Sequence, residues 1–224
     1  MVCMTAVPDY LSQTYWWAYV HPGAVRLFER RWLVNLILFG NLRRLADAAI
    51  AALGGALPGR TLQVGCVYGD LTPRICERVP VGGRLDVADV LPVQLDNLAR
   101  KLAPGAPVRL VHGDSARLPL PSASYDRVLL FFLLHEQPEH ARRATVAEAL
   151  RLVKPGGHLA IVDYHRPGRW HPLYWPMVAI LRLLEPYALD LWRDDIEKWL
   201  PRPVTRIERA TVFGGLYQVV RVTV

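Results

Sequence analysis

The residues best suited to chemistry cluster at the ends of apolar runs. The first run closes on Gln63-Val64-Gly65-Cys66-Val67-Tyr68-Gly69, where Gly65 and Gly69 let the backbone approach a ligand closely. Asp89 closes the second run, and a carboxylate there can take both hydroxyls of a ribose in a bidentate grip. Asp114, Ser115 and Ala116 follow the third run, His135 and Glu136 the fourth, and Asp163 and His165 the fifth. Tyr15 and Tyr68 can serve as acid, base or stacking rings, although such side chains are as readily used for packing alone. The segment His135-Glu136-Gln137-Pro138-Glu139-His140 has the look of a zinc-protease helix. Its histidines are five apart and Pro138 interrupts it, so one helix cannot present both.

The elements that must position these groups follow from periodicity. Residues 9–54 are helical in pattern: an aromatic opening through Tyr10, Tyr15, Trp16, Trp17 and Tyr19, a break at His21-Pro22-Gly23, then a helix over 24–53 stopped by Gly54-Gly55. Apolar runs at 61–65, 85–89, 108–112, 126–134 and 158–163 read as strands. Leu91, Leu95, Leu98 and Leu102 recur at helical spacing, with Pro92 in the first turn, where its missing N–H costs nothing. A further helix over 141–153 ends at Lys154-Pro155-Gly156-Gly157. Strands alternating with helices predict a parallel sheet covered on both faces, a doubly wound α/β fold. Residues 170–200 read as helical and rich in Trp, Leu and Pro, and 203–212 with 215–224 as a hairpin turning at Phe213-Gly214-Gly215.

Composition narrows the classes. With 224 residues and 52% hydrophobic content, the chain can build one domain with a large core. The division is a single domain over 1–224, with an N-terminal helical lid over 1–55 and an apolar helical insertion over 165–200. The uncharged apolar stretches fall short of the roughly 20 residues that span a bilayer. The N-terminus lacks the basic-then-apolar pattern of a secretory signal, so a cytoplasmic protein is expected. Three widely spaced cysteines argue against a disulfide framework. The net charge of +7 suits an anionic partner, but no nucleic-acid motif accompanies it.

The loop at 62–69, Asp89, Gly113-Asp114-Ser115-Ala116, Tyr125-Asp126 and Leu152-Val153-Lys154-Pro155-Gly156-Gly157 stand in an order that resembles the class I S-adenosylmethionine (SAM) methyltransferases. The resemblance implies a Rossmann-like, seven-stranded, mostly parallel sheet with an antiparallel C-terminal hairpin. It also implies that Gln63, Gly65, Val67, Tyr68, Gly69, Asp89, Asp114, Ser115 and Ala116 hold SAM, Asp114 meeting the adenine amine. Two positions depart from the pattern: Gln63 stands where an acid is usual, and Val67 where a glycine is usual. A neutral Gln63 beside the cofactor's α-amine makes the free, nucleophilic amine easier to reach.

With Thr14-Tyr15-Trp16-Trp17-Ala18-Tyr19-Val20-His21-Pro22, the stretch 32–41 and Leu134-His135-Glu136-Gln137-Pro138, these departures resemble the rhodoquinone-biosynthesis, or RquA-type, proteins. That resemblance implies replacement of a ubiquinone methoxy group by an amino group, with SAM as amino donor and Mn²⁺ required. The catalytic residues expected are Tyr15, Tyr68 and His135. The expected metal ligands are His135, Glu136, Asp163 and His165, imidazole and carboxylate being ligands that suit manganese. A prenylated quinone lives in the bilayer, so the apolar 170–192 region, Trp16, Trp17, Phe28 and Trp32, and Arg26, Arg30, Arg31, Arg43 and Arg44 predict peripheral binding to the inner membrane. The alternatives are a conventional O- or C-methyltransferase of a prenylated quinone or other lipid, and a non-catalytic, membrane-associated SAM-binding protein.

Overall fold

Glycine-bounded apolar runs become the strands, because only a sheet pairs their backbone groups while burying both faces. A computed structural model describes residues 7–16, 22–201 and 204–224. The strands are β1 (Arg60–Val64), β2 (Arg84–Asp89), β3 (Val108–His112), β4 (Tyr125–Phe131), β5 (Val153–Tyr164), β6 (Arg206–Val212) and β7 (Tyr217–Thr223). They form one seven-stranded sheet in the order β3-β2-β1-β4-β5-β7-β6. β1 to β5 pair in parallel; β7 runs antiparallel to β5, and β6 antiparallel to β7. This is the doubly wound sheet with a C-terminal hairpin that the sequence predicts. Strand order reverses at β1 and β4, which opens a crevice beyond their carboxyl ends.

The helices are α1 (Asp9–Thr14), α2 (Pro22–Phe28), α3 (Arg31–Ile37), α4 (Leu42–Leu53), α5 (Leu71–Cys76), α6 (Pro92–Ala99), α7 (Glu139–Leu152) and α8 (Tyr174–Leu184). The predicted helix over 24–53 is therefore three. The chain breaks at the extended Arg30 and again at Phe39 and Gly40, both at positive φ, where the Asn41 amide donates to the Leu38 and Phe39 carbonyls. Trp17, Tyr19 and His21 lie outside the described residues. The fourth strand stops at Phe131, three residues early, because Phe132 takes a φ of 50° and turns the chain. Pro155-Gly156-Gly157 does not end α7. That helix already stops at Leu152, and the three residues form an irregular start to β5, where the register to β4 shifts. Over 170–200 only α8 is α-helical; short 3₁₀ turns follow at Ala188–Trp192 and Ile196–Trp199. Among the described residues no helix is long and apolar enough to cross a membrane.

At the end of the sheet away from the crevice, one buried carboxylate ties four strands together. Asp86 on β2 accepts from Arg109 on β3 (2.8 and 3.1 Å), from Arg60 on β1 (3.4 Å) and from the Tyr125 hydroxyl at the start of β4, with Arg84 3.1 Å away. Burial alone raises its pKa, but the Tyr125 and Arg109 hydrogen bonds outweigh this and hold it below the usual carboxylate range. A depressed folded-state pKa stabilises the fold above the unfolded value, and that contribution is lost as pH falls through the folded one. Asp86→Asn should cost about 3 kcal/mol by leaving arginines around a neutral amide. Urea denaturation should show the loss at neutral pH and a smaller gap between variant and wild type in acid.

Candidate active site

The crevice is floored by the loop after β1. Gly65 and Gly69 sit at φ of 88° and 85°, which side-chain-bearing residues rarely adopt, and Val67 falls between them at an ordinary φ. Gln63 is wholly buried under this loop. Its Nε2 donates to the Gly65 carbonyl (2.9 Å) and its Oε1 accepts from the Thr72 hydroxyl (3.0 Å). Both ends of the amide are thus taken up within the protein rather than offered to a ligand.

Two carboxylates clamp the loop from opposite sides. Asp89, at the end of β2, accepts the Cys66 N–H (2.6 Å) with one oxygen and the Leu91 N–H (2.8 Å) with the other. Burial raises its pKa, partly offset by those two bonds. Glu29, just after α2, accepts the Gly69 N–H (3.0 Å), the Asn97 amide (2.6 Å) and the Lys101 ammonium (2.9 and 3.1 Å). Lys101 donates onward to the Val67 and Gly69 carbonyls at 3.2 and 3.1 Å. Tyr68 stacks on Phe28 and its hydroxyl accepts from Gln94 (2.9 Å), so it joins the loop to α2 and α6. Glu29 and Lys101 were not among the residues expected from sequence. A lone acid among arginines was their only signal.

Beyond β3, Asp114 accepts the Ala116 N–H (2.9 Å) within its own turn. Ser115 bonds Thr145 (2.8 Å) and receives the Gln137 amide (3.0 Å), which ties this turn to the exit of β4. Tyr10, which sequence reasoning did not select, lies beside Gln137 (3.4 Å) in the field of Glu136, Asp114 and Asp89; burial pushes its hydroxyl pKa up.

The exit of β4 carries a histidine whose partner outweighs its burial. His135 is 4% exposed in the short turn Leu134–Glu136, and its Nδ1–H donates to Asp163 (2.9 Å) on β5. Asp163 also accepts the N–H groups of Leu134 (2.9 Å), His135 (3.3 Å) and Tyr164 (2.8 Å). Burial alone lowers the imidazole pKa. The Asp163 charge and hydrogen bond, with Glu185 and Glu136 nearby, carry it up to about 9, so His135 is an imidazolium at neutral pH. Wholly buried Arg142 holds the same turn by its carbonyls, donating to Leu134 (2.9 Å), Gln137 (2.8 Å) and Tyr187 (2.9 Å). Tyr15 is buried beside Glu185, the residue that ends α8. Burial raises the pKa of both, and Glu185 belongs to the His135 cluster although sequence gave no reason to choose it.

The four residues expected to ligate manganese do not assemble. The Asp163 carboxylate is taken up by the four N–H donors just named, and His165 turns its Nδ1 to the Gly215 carbonyl (2.7 Å). His135 meets Asp163 through Nδ1 (2.9 Å) and comes no nearer than 3.8 Å to Glu136, and His165 stands apart from all three. Among the described residues no three His, Cys, Asp or Glu side chains are grouped to hold a metal ion. The donor set does not fit manganese.

A glycine loop at a strand-order reversal, an acid ending β2 and an Asp-containing turn after β3 lie together where doubly wound sheets bind ligands. Residues 61–157 match the methyltransferase domain family. That stretch carries the loop, both aspartates and His135. The chain is 33% identical over 141 residues to the ubiquinone/menaquinone biosynthesis C-methyltransferase of Ectopseudomonas mendocina, covering 61% of this chain and 54% of that protein, so it spans about half of that relative's length. It is 27% identical over 208 residues to an uncharacterized methyltransferase of Synechocystis sp., covering 92% and 93% of the two. The fold is shared with a SAM-dependent methyltransferase from Aquifex aeolicus, with a TM-score of 0.60 at 19% identity over 90% of this chain and 97% of that one. Over its central part the chain is thus similar to SAM-dependent methyltransferases, and it shares their fold. The loop and Asp89 fit SAM. Glu29→Ala frees the Gly69 end of the loop and should weaken SAM binding about tenfold, the equivalent of one charged hydrogen bond, when titrated calorimetrically.

Proposed function

We propose that this protein transfers the methyl group of SAM to a ring carbon of a prenylated hydroquinone. The observation that carries this reading is the buried His135–Asp163 pair (2.9 Å) at the exit of β4, where Leu133, two residues before the histidine, would lie 3.6 Å from a Cβ on Gly65. SAM supplies an electrophilic methyl group when bound. Asp89 offers a carboxylate to ribose, and the 65–69 backbone gives close approach to the rest of the cofactor. With Nδ1 engaged by Asp163, the Nε2–H of His135 is the donor left for a phenolic oxygen; Glu136 stands 3.8 Å off, beyond hydrogen-bond distance. With the phenolic proton released to solvent, holding that oxygen as its anion raises electron density on the neighbouring ring carbon; the new carbon–methyl bond forms as the sulfur–methyl bond breaks, S-adenosylhomocysteine leaves, and the ring carbon's proton is then lost to solvent. Because His135 is almost wholly covered, substrate reaches it only when Tyr15 and Glu185 part.

The name of the Ectopseudomonas relative supports a quinone ring as substrate. Amino transfer drew its chemistry from a neutral Gln63 facing the cofactor amine and from a manganese site. Gln63 is engaged beneath the loop and the four ligands do not converge, so methyl transfer is the favoured reaction. SAM labelled with deuterium in the methyl group and nitrogen-15 in the amine, incubated with a short-tailed hydroquinone, should yield a product three deuterons heavier per methyl. Nitrogen-15 in the product would instead establish amino transfer.

A second measurement tests the role of His135. If the imidazolium is the active form, kcat/KM falls as pH rises through about 9. Asp163→Asn removes the charge that holds the proton, so this alkaline limb should move toward or below the ordinary histidine value near 6.5. His135→Asn should lower kcat by about 10² or more. An alkaline limb unmoved in the Asp163 variant would exclude His135 as its origin.

A further inference from the structure

Helix α8 is apolar nearly all round. Tyr174, Met177 and Leu181 face the core, yet Trp175 (67% exposed), Ile180, Leu183 (81%) and Leu184 face outward, and Arg182 is its one charged residue. A helix at a water-facing surface ordinarily turns a polar face outward. Trp170, 99% exposed, stands just before it. Shallow grooves of about 370 and 340 Å³ lie here, bordered by Arg166, Arg169, Arg182 and Arg193. Among the described residues Arg193 pairs with Asp190 (3.2 Å), whereas no carboxylate pairs with Arg166, Arg169 or Arg182. A second apolar face adjoins: α3 exposes Trp32, Leu36 and Ile37, and Phe39 at its end stacks on Phe213, which meets His171 on the approach to α8.

We propose that α8 and residues 166–170 dock on an anionic phospholipid bilayer. Trp170, Trp175 and Leu183 enter the interface, and Arg166, Arg169 and Arg182 meet headgroup phosphates. Charge favours a bilayer over a second copy of the chain, since a twofold contact through this face would set arginines against arginines. The face is continuous with the crevice: α8 ends at Glu185, beside Tyr15 and His135. A lipid-borne substrate would thus pass from the interface along α8 to the imidazolium. The docking surface depends on this helix and its arginines, not on which group is transferred.

Flotation of the full chain with vesicles of phosphatidylcholine, with and without phosphatidylglycerol, tests this. The protein should float with the anionic vesicles. The triple variant Arg166→Glu, Arg169→Glu, Arg182→Glu should lose at least about tenfold in partition, and Trp175→Ser with Leu183→Ser should weaken it similarly without altering the melting curve. Wild-type protein left at the bottom of the gradient overturns the proposal, as does equal flotation of the triple variant. So does a dimer in light scattering that the Trp175, Leu183 variant dissolves. Flotation reads the docking face whether or not a hydroquinone is the substrate. If it is, the arginine variant should keep wild-type turnover of a water-soluble hydroquinone and lose about tenfold on a long-tailed one in vesicles.

Discussion

Asp163 lies fully buried at the end of β5 and accepts hydrogen bonds from three backbone N–H groups and from the His135 imidazole. An unpaired carboxylate in that position would be costly, and three of its four donors, the Leu134 and His135 N–H groups and the His135 imidazole, lower the cost by fixing the turn after β4. Arg142 completes the constraint from the other side by engaging the turn's carbonyls. The position and protonation of His135 both follow. Its proton is retained because Asp163 is charged and close, and its ring cannot turn away because the backbone that carries it is bonded at both polarities. Phe132 and Tyr164 pack edge-on against the same ring.

The cofactor side of the crevice is organised on a different principle. Within the glycine loop Tyr68 anchors on Phe28 and Gln94, and neighbouring elements hold the rest: Asp89 at Cys66, Gln63 and Thr72 beneath, and Glu29 with Lys101 at Gly69. Glu29 follows α2 in the N-terminal helical region, and Tyr15 from the same region covers the His135 cluster beside Glu185. The N-terminal helices and the end of α8 therefore both act as cover, one contacting the loop and both contacting the reactive end.

The two ends of the sheet carry their polar groups differently. Away from the crevice, Asp86 is surrounded by arginines and Tyr125, and its ionised form is favoured. Around the crevice, burial pushes Asp89, Glu185, Tyr10 and Tyr15 toward their neutral forms, whereas at His135 the Asp163 partner outweighs burial and favours the charged form. A polar network left incomplete in a low-dielectric site is where a ligand's own polar atoms bring most. Stability is concentrated at one end and reactivity at the other, as expected of a parallel sheet whose ligands lie beyond its carboxyl edge.

The amino-acid sequence alone determined the alternation of strands and helices, the C-terminal hairpin, and the placing of the glycine loop, Asp89 and Asp114 at the carboxyl ends of β1, β2 and β3. These depend on local periodicity and on glycine and proline positions, which act over a few residues. It also marked His135, as a catalytic residue and a metal ligand, and Asp163 as a metal ligand, because spacing shows which groups end adjacent strands but not whether they bond each other first. The break of one long helix at Phe39, the engagement of Gln63 beneath its own loop, and the parts played by Glu29, Lys101, Arg142 and Glu185 were decided only by tertiary structure. Each rests on a contact between residues far apart in the chain, such as Lys101 with Gly69 or Glu185 with Tyr15, where burial and a partner's charge set the chemistry and leave no periodic trace in the sequence.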